Sequence, residues 1–426
     1  MTFFVFSLGC KVNSYESRAV AQQLISLGYK EVSYKENADI VIINTCSVTA
    51  TADQKSRQHI RKFINQYPNA ITVVMGCYSQ GNYEFISKNI KPSIIIGTEY
   101  RNEIPQLIDE FLKNKKPIIK IDNNRSSFTY NEFGVISYSE NVRAYLKIQD
   151  GCDNFCTYCI VPYRRGKMRS RNFNDVINEA KYLINLGYKE IVLTGIHVGG
   201  YGQDLGNITF SDLVDKLTSL DGLQSLRISS IEESEIDEKL IDLYRNRPNL
   251  APHIHIPLQS GSSSVLKRMN RKYTAEQFAN KLKSLRGSLP NVAITSDVIV
   301  GFPGETDEEF KETFDLIVNC DINMLHVFPY SAREGTIAAK MENQISPTVK
   351  KERSNQLLEL SKQQWKKYCS KFIGKSIEVL VEQYDEKLKS FIGHSRNYIE
   401  IKIADTSARI GEYFNVKSLQ YTDIIN

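Results

Sequence analysis

The sequence of 426 residues predicts an α/β protein in three parts: an N-terminal open parallel α/β domain over 1–120, a central partial (β/α)6 barrel over 142–368 and a small C-terminal β-barrel over 371–426. Three observations carry this. Short β-rich runs alternate with amphipathic helical patterns through two long stretches. One segment poor in long apolar periods, 121–141, interrupts the alternation. The final stretch holds strand patterns only.

In the first part "FFVFSLG", "ADIVIINTC", "AITVVMGC" and "SIIIGT" read as strands. Segments such as "SYESRAVAQQLISLGYK" lie between them, apolar at helical spacing and closed by Gly28. The segment "IDNNRSSFTYNEFGVISYSEN", rich in Asn and Ser, reads as a linker between domains. In the second part the strands are "RAYLKIQ", "EIVLTGIHV", "SLRISSI", "HIHIPLQ", "VAITSDVIV" and "MLHVFPYS". A helix between the first two, "NDVINEAKYLINLGYK", takes Asn174 as its N-cap and Gly187 at its C-terminal end. Six strand–helix units are too few for a closed eight-stranded barrel, so one side stays open and suits a large substrate. The helical stretch "SPTVKKERSNQLLELSKQQWKKYCSKFIG" leads to "SIEVLVEQ", "SFIGHSRNYIEIKI" and "RIGEYFNVKSLQYTDII", whose simplest packing is a small barrel.

Composition excludes several classes. With 41% hydrophobic and 24% charged residues the chain is globular and not disordered. No apolar run is long enough to span a bilayer, and "MTFFVFSLGC" reads as a first strand and not as a signal peptide, so a cytoplasmic, non-membrane protein is expected. Eight cysteines are too sparse for a disulfide scaffold, and clustered thiols in a reducing compartment more often bind metal or do chemistry. A net charge of +5 permits an acidic partner without demanding one.

The cysteines point to the chemistry. Cys152, Cys156 and Cys159 in "DGCDNFCTYC" follow the first barrel strand, at the barrel edge where active sites form. Three thiolates hold three irons of a [4Fe-4S] cube and leave the fourth iron open; structural cysteines, or a zinc site completed from afar, are the alternatives. Cys10, Cys46 and Cys77 each fall just past the carboxyl end of a strand in the first domain, where ligands of open parallel sheets gather; singly each reads as a buried small hydrophobe, but jointly three loops bring together a second cluster site. Cys320 and Cys369 lie outside both sets and read as structural.

The Cys-x3-Cys-x2-Cys run, with Tyr158 before its last cysteine, resembles the signature of the radical S-adenosylmethionine (SAM) enzymes. The resemblance implies that the open iron chelates SAM, that an electron from the cluster cleaves it to a 5′-deoxyadenosyl radical, and that Tyr158 packs near the adenine. "TGIHVG", "PLQSGS" and "SDVIVGFPGET" stand at three further strand ends, and "FPYSAREGT" at the sixth. Together they nominate Thr194, Gly195, Gln259, Ser260, Asp297, Gly301, Pro303 and Tyr330, with Tyr158, as a SAM cradle like the family's. The turn before "TDEE" is equally a helix capping box.

Over essentially the whole chain, "SLGCKVNSYES", "NTCSVT", "GCYSQ", "GCDNFCTYCIVPYRRGKMRSR" and "GHSRNYIEI" resemble the radical SAM methylthiotransferases. That family's pattern is an N-terminal methylthiotransferase domain, a radical SAM partial barrel and a C-terminal TRAM domain. The resemblance implies two [4Fe-4S] clusters, SAM as both methyl and radical source, and replacement of an unactivated C–H by C–S–CH3. It also implies a tRNA anticodon stem-loop, a flavodoxin-like electron donor and a sulfur source as partners of a monomeric enzyme. "GCKVNSYES" and "NTCSVTATADQKSRQ" look most like the subfamily that acts on threonylcarbamoyladenosine at position 37; the alternatives are isopentenyladenosine at that nucleotide and an aspartate of a ribosomal protein.

For RNA, the run "PYRRGKMRSR" offers Arg164, Arg165, Lys167, Arg169 and Arg171 with no acidic residue, the pattern of a phosphate-contact surface or of a solvated loop. Arg333, in "FPYSAREGT", meets a phosphate or pairs with a carboxylate, and it joins this set with Arg396. The last domain is charge-balanced, eight basic against eight acidic residues from Lys371 to Asn426, so RNA binding there needs local patches. Aromatics such as Phe391 and Tyr398 serve either that purpose or the small barrel's core.

Overall fold

The computed structural model describes residues 1–126, 128–134, 136 and 142–425. Strands β1 (Thr2–Ser7), β2 (Lys30–Glu31), β3 (Ile40–Thr45), β4 (Ile71–Gly76), β5 (Ile94–Ile96) and β6 (Ile118–Lys120) form one parallel sheet in the order β2-β1-β3-β4-β5-β6. Helices α1 (Lys11–Ser26), α2 (Ala50–Gln66), α3 (Cys77–Asn89) and α4 (Ile104–Asn114) follow their strands and cover both faces. That is why β3 and β4 are buried at every position and read as continuous apolar runs instead of alternating ones. The strand order reverses between β1 and β3, so the loops that follow these two strands diverge and open a crevice.

The barrel strands are β7 (Arg143–Lys147), β10 (Glu190–Thr194), β11 (Ser225–Ile228), β12 (His253–His255), β13 (Ala293–Val300) and β14 (Met324–Pro329); a short antiparallel pair, β8 (Gln149–Asp150) with β9 (Arg169–Ser170), frames the loop between β7 and β10. Two parallel three-stranded sheets, β7-β10-β11 and β12-β13-β14, are joined by a parallel bridge from Leu226 to Leu250, which gives the six-stranded partial barrel expected. Helices α5 (Val161–Arg165), α6 (Phe173–Asn185), α7 (Phe210–Thr218), α8 (Glu238–Asn246), α9 (Ser263–Arg268), α10 (Ala275–Ser288) and α11 (Asp307–Asn319) connect them. The cap of α6 is Asn172 and not Asn174: its side-chain oxygen accepts from the N–H groups of Asn174 (2.9 Å) and Asp175 (3.3 Å). The capping box at Thr306 forms as the sequence suggests.

The open side is partly screened. Helix α12 (Pro347–Ser370) lies along the edge strand β14, where Ser361 Oγ accepts from the Leu325 N–H at 2.9 Å. Beyond it, β15 (Ile377–Asp385), β16 (Ser390–Ser395), β17 (Glu400–Ile403) and β18 (Tyr413–Val416) form an antiparallel sheet in the order β17-β16-β15-β18, a half-barrel over a core including Val379, Val381, Ile401 and Leu419. Cys369 is buried in this core and Cys320 packs against the central barrel. Among the described residues of 121–141 no helix or strand forms, yet Tyr130 Oη donates to the Lys147 carbonyl (2.9 Å) and Asn131 bonds Glu99 (2.9 Å); 127, 135 and 137–141 lie outside the described residues. No described helix is long and apolar enough to cross a membrane.

Candidate active site

Cys10 and Cys46 leave the ends of β1 and β3, on the two sides of the crevice where the strand order reverses, and Cys77 leaves the end of β4. Gly9 makes the approach feasible: at φ +110° its missing Cβ would stand 2.8 Å from the Cys46 Cβ and 2.9 Å from its sulfur. Asn13 ties the loops, donating to the Leu8 (2.7 Å) and Thr45 (3.2 Å) carbonyls. Burial pushes the Cys46 thiol up to about 11 and raises Cys77 as well. Arg165 opposes the effect at Cys77, its Nε donating to that sulfur at 3.2 Å. A Gly9→Ala substitution is expected to cut the iron bound on reconstitution by about half, through loss of this trio alone; iron and sulfide analysis reads it directly.

The second trio lies in the loop between β8 and α5. Gly151, at φ +72°, admits no side chain because a Cβ would meet the Lys167 carbonyl oxygen at 1.8 Å. The loop is fastened by Cys152 N–H to the Gly166 carbonyl (3.1 Å), Thr157 N–H to the Met269 carbonyl (3.0 Å) and Cys159 N–H to the Cys156 carbonyl (2.9 Å). Nitrogen donors face the sulfurs: Arg271 Nη1 reaches Cys156 Sγ at 3.5 Å, and His197, paired with Glu235 at 2.6 Å, stands beside Cys152. Burial pulls the His197 pKa down, but the partners Cys152 and Glu235 prevail and push it up to about 10. Burial holds Cys159 up to about 12. A cavity of 510 Å³ opens beside Cys156, lined by His197, Glu232, Arg271 and Tyr273 among others.

The residues nominated as a SAM cradle fall into separate groups. Tyr158 packs with Phe302, Tyr330, Val265 and Met269 in an apolar cluster beside the cysteine loop, and Pro303 is buried next to it. Gly301, at φ +69°, donates its N–H to Glu305 at 2.6 Å. Gln259 takes φ +64° and bridges to β13 through the Asp297 carbonyl (2.8 Å) and the Ile299 N–H (2.9 Å). Ser260 is fully buried, and its hydroxyl faces Thr313 at 3.2 Å, so its side chain shapes the turn from inside. Thr194, Gly195 and Asp297 line a different cavity, of 490 Å³ inside the barrel, together with Cys10 and Lys11.

The basic run is corrected at Arg165, Arg169 and Arg171, while Arg333 takes its carboxylate-pairing alternative. Arg165, Arg169, Arg171 and Arg333 are at most 5% exposed, and their guanidinium groups are spent on carboxylates. Arg165 binds Glu16 (2.8 Å) and Asp150 (3.0 Å); Arg169 binds Glu99 (2.9 Å); Arg171 pairs with Glu132 and Glu179, and Arg333 with Asp53. With Lys147 and Arg101 they form a buried ionic junction between the first domain and the barrel. Arg396 contacts the Gln224 carbonyl (2.7 Å) and Glu378 (3.0 Å), fastening the last domain to the barrel. Arg164 is half-buried and Lys167 exposed. Tyr398, at φ +73°, likewise faces inward and stacks on His253 at 5.0 Å, while Phe391 packs against the small domain's core.

Over 418 residues the chain is 44% identical to "Threonylcarbamoyladenosine tRNA methylthiotransferase MtaB" of Bacillus subtilis (strain 168), covering 97% of this chain and 93% of that protein. The chain belongs to the radical SAM methylthiotransferase family. Residues 146–317 match the Radical SAM superfamily model, and 2–97 match the model described as Uncharacterized protein family UPF0004. A further methylthiotransferase relative, the "tRNA-2-methylthio-N(6)-dimethylallyladenosine synthase" of Acetivibrio thermocellus, is 35% identical over 96% of this chain and 87% of its own. Among solved structures, the radical SAM methyltransferase TsrM of Kitasatospora setae shares the fold, with a TM-score of 0.58 at 12% identity over 77% of this chain and 74% of that one.

Radical SAM methylthiotransferases work with SAM and two [4Fe-4S] clusters, and this chain's donor sets fit them. Each site offers three thiols on loops closed by a glycine that no Cβ can replace, with a cationic nitrogen donor against a sulfur. Bound there, the clusters and SAM supply one-electron cleavage of SAM and a sulfur-bearing centre. The sequence reading missed His197, Glu232 and Arg271, although His197 lies inside the quoted "TGIHVG". Arg271 stands in "RMNRKY", which has no pattern to set it apart.

Proposed function

We propose that this protein adds a methylthio group to C2 of N6-threonylcarbamoyladenosine at position 37 of tRNA, giving 2-methylthio-N6-threonylcarbamoyladenosine. The observation that carries the reading is the likeness to the Bacillus subtilis relative across 97% of the chain. The arrangement of the residues supports it. Cys152, Cys156 and Cys159 hold one cluster at the barrel mouth, and Cys10, Cys46 and Cys77 hold the other at the end of the first sheet. Cys10 borders the barrel cavity, so a base inserted there meets the sulfur-bearing side. The Tyr158–Phe302–Tyr330 cluster excludes water beside the SAM-binding loop, and Arg271 and His197 fix the sulfurs of that loop.

An unpaired anticodon loop presents adenine 37 without breaking a duplex. A flavodoxin-like electron donor and a sulfur source are the remaining partners of a monomeric, cytoplasmic enzyme. Lys167 is the member of the basic run that stays exposed beside the site, and it supports phosphate contact. Lys167→Glu is expected to weaken tRNA binding uniformly and to reduce the salt slope of log K by about 1, as loss of one phosphate contact does. The function is tested by anaerobic reconstitution with iron and sulfide, addition of SAM and reductant, and separate incubation with tRNA carrying threonylcarbamoyladenosine or isopentenyladenosine. Mass spectrometry is expected to find the methylthio nucleoside from the first only; product from the second only assigns the enzyme to the alternative substrate.

A further inference from the structure

The cavity that Cys10 shares with the barrel interior is polar in an uneven way. Arg227, on β11, is 2% exposed and uses two of its three guanidinium nitrogens on Glu190, at 3.0 and 2.8 Å. Glu190 is in turn shared with Arg143, and the Tyr398 ring lies 4.9 Å from the Arg227 guanidinium. The third nitrogen, Nη1, is buried with no hydrogen-bond partner. A donor left unmade in such a place is costly unless a ligand completes it. His253, stacked on Tyr398, presents a second buried and unbonded atom, Nδ1, while its Nε2 is held by Thr295 Oγ1 at 2.9 Å. Lys11 adds an ammonium group from the first domain. The one carboxylate on the lining, Asp297, is engaged by His255 at 3.3 Å.

A fixed arginine with an unpaired nitrogen, a lysine and an unbonded imidazole nitrogen, all on the lining of one cavity, make a subsite for a carboxylate with an adjacent hydroxyl. We propose that this cavity seats the threonyl end of the substrate's side chain, with Arg227 Nη1 and Lys11 taking its carboxylate and His253 facing its hydroxyl. The inference rests on the function proposed above and adds the groups that select the substrate. An apolar prenyl chain leaves those donors unpaired, so the same subsite rejects it.

The test uses the reconstituted enzyme and two synthetic anticodon stem-loops, one with threonylcarbamoyladenosine and one with its threoninamide analogue, in which the carboxylate is a neutral amide. Wild type is expected to favour the acid by about 10- to 100-fold in kcat/KM, the loss that follows when a charge-assisted hydrogen bond is removed. Lys11→Met and Arg227→Lys each bring the two substrates to within a few-fold of one another. Because Lys11 adjoins Cys10, equilibrium binding of both RNAs by fluorescence anisotropy reads the same ratio independently of turnover. Equal use of acid and amide by wild type overturns the carboxylate subsite and leaves the proposed function standing. A preference that survives in both variants also overturns it, placing the selecting groups elsewhere. Methylthiolation of neither RNA defeats the functional reading, and the subsite with it.

Discussion

Arg165→Leu is expected to lower the unfolding free energy by about 3–5 kcal/mol, the loss seen when one member of a buried ionic cluster is removed. The side chain is 1% exposed and holds two carboxylates from different domains: Glu16 on α1, at 2.8 Å, and Asp150 on β8, at 3.0 Å. It also donates to Asn13 (3.0 Å) and to Cys77 Sγ (3.2 Å). Desolvation works against both carboxylates, but the surrounding cations prevail: Glu16 is held at about 2, and Asp150 is held well below the usual carboxylate range. Removing Arg165 leaves each with fewer cations in a place water does not reach. Lysine should recover only part of the loss, because an ammonium cannot span the two carboxylates, the amide and the sulfur at once. Urea unfolding followed by circular dichroism measures the change. A loss below about 1 kcal/mol, accompanied by weaker tRNA binding, would restore Arg165 to the exposed phosphate-contact role that its sequence neighbourhood suggests.

The second large effect separates the two thiol trios. Alanine at Cys152, Cys156 or Cys159 is expected to abolish reductive SAM cleavage, reducing 5′-deoxyadenosine to the level of a protein-free control. Alanine at Cys46 or Cys77 should stop methylthio transfer while leaving cleavage measurable, because these thiols stand on the β3 and β4 loops of the other domain. Chromatographic quantification of 5′-deoxyadenosine and of the modified nucleoside, on the same reaction, distinguishes the two. Loss of all cleavage in the Cys46 variant would mean that the clusters do not function separately.

Much of this was visible in the chain. The cysteine spacing in 152–159 is local and is read directly from the chain. Cys10, Cys46 and Cys77 were legible because each follows a strand of a parallel sheet, and the topology of such a sheet delivers all strand ends to one edge. The arginines after the triplet were misread for an equally physical reason. A basic run in sequence shows no acidic neighbour, whereas Glu16, Glu99, Asp150 and Glu179 arrive from other segments and take the charge inside. Tyr398 posed the same problem: a lone aromatic in a strand-rich segment looks alike whether it faces RNA, a core or, as here, a neighbouring domain.

Periodicity and spacing therefore sufficed for the three-part architecture and the six barrel strands, because each depends on short-range pattern and on the regular geometry of parallel sheets. The fate of individual polar side chains was settled elsewhere, by which elements pack together. Arg165 and Arg171 became interior ions, Ser260 turned inward, and Arg227, on the lining of the barrel cavity, was left with one nitrogen unpaired. Burial and pairing are properties of three-dimensional neighbours, and a charge finds its partner across hundreds of residues as readily as across three.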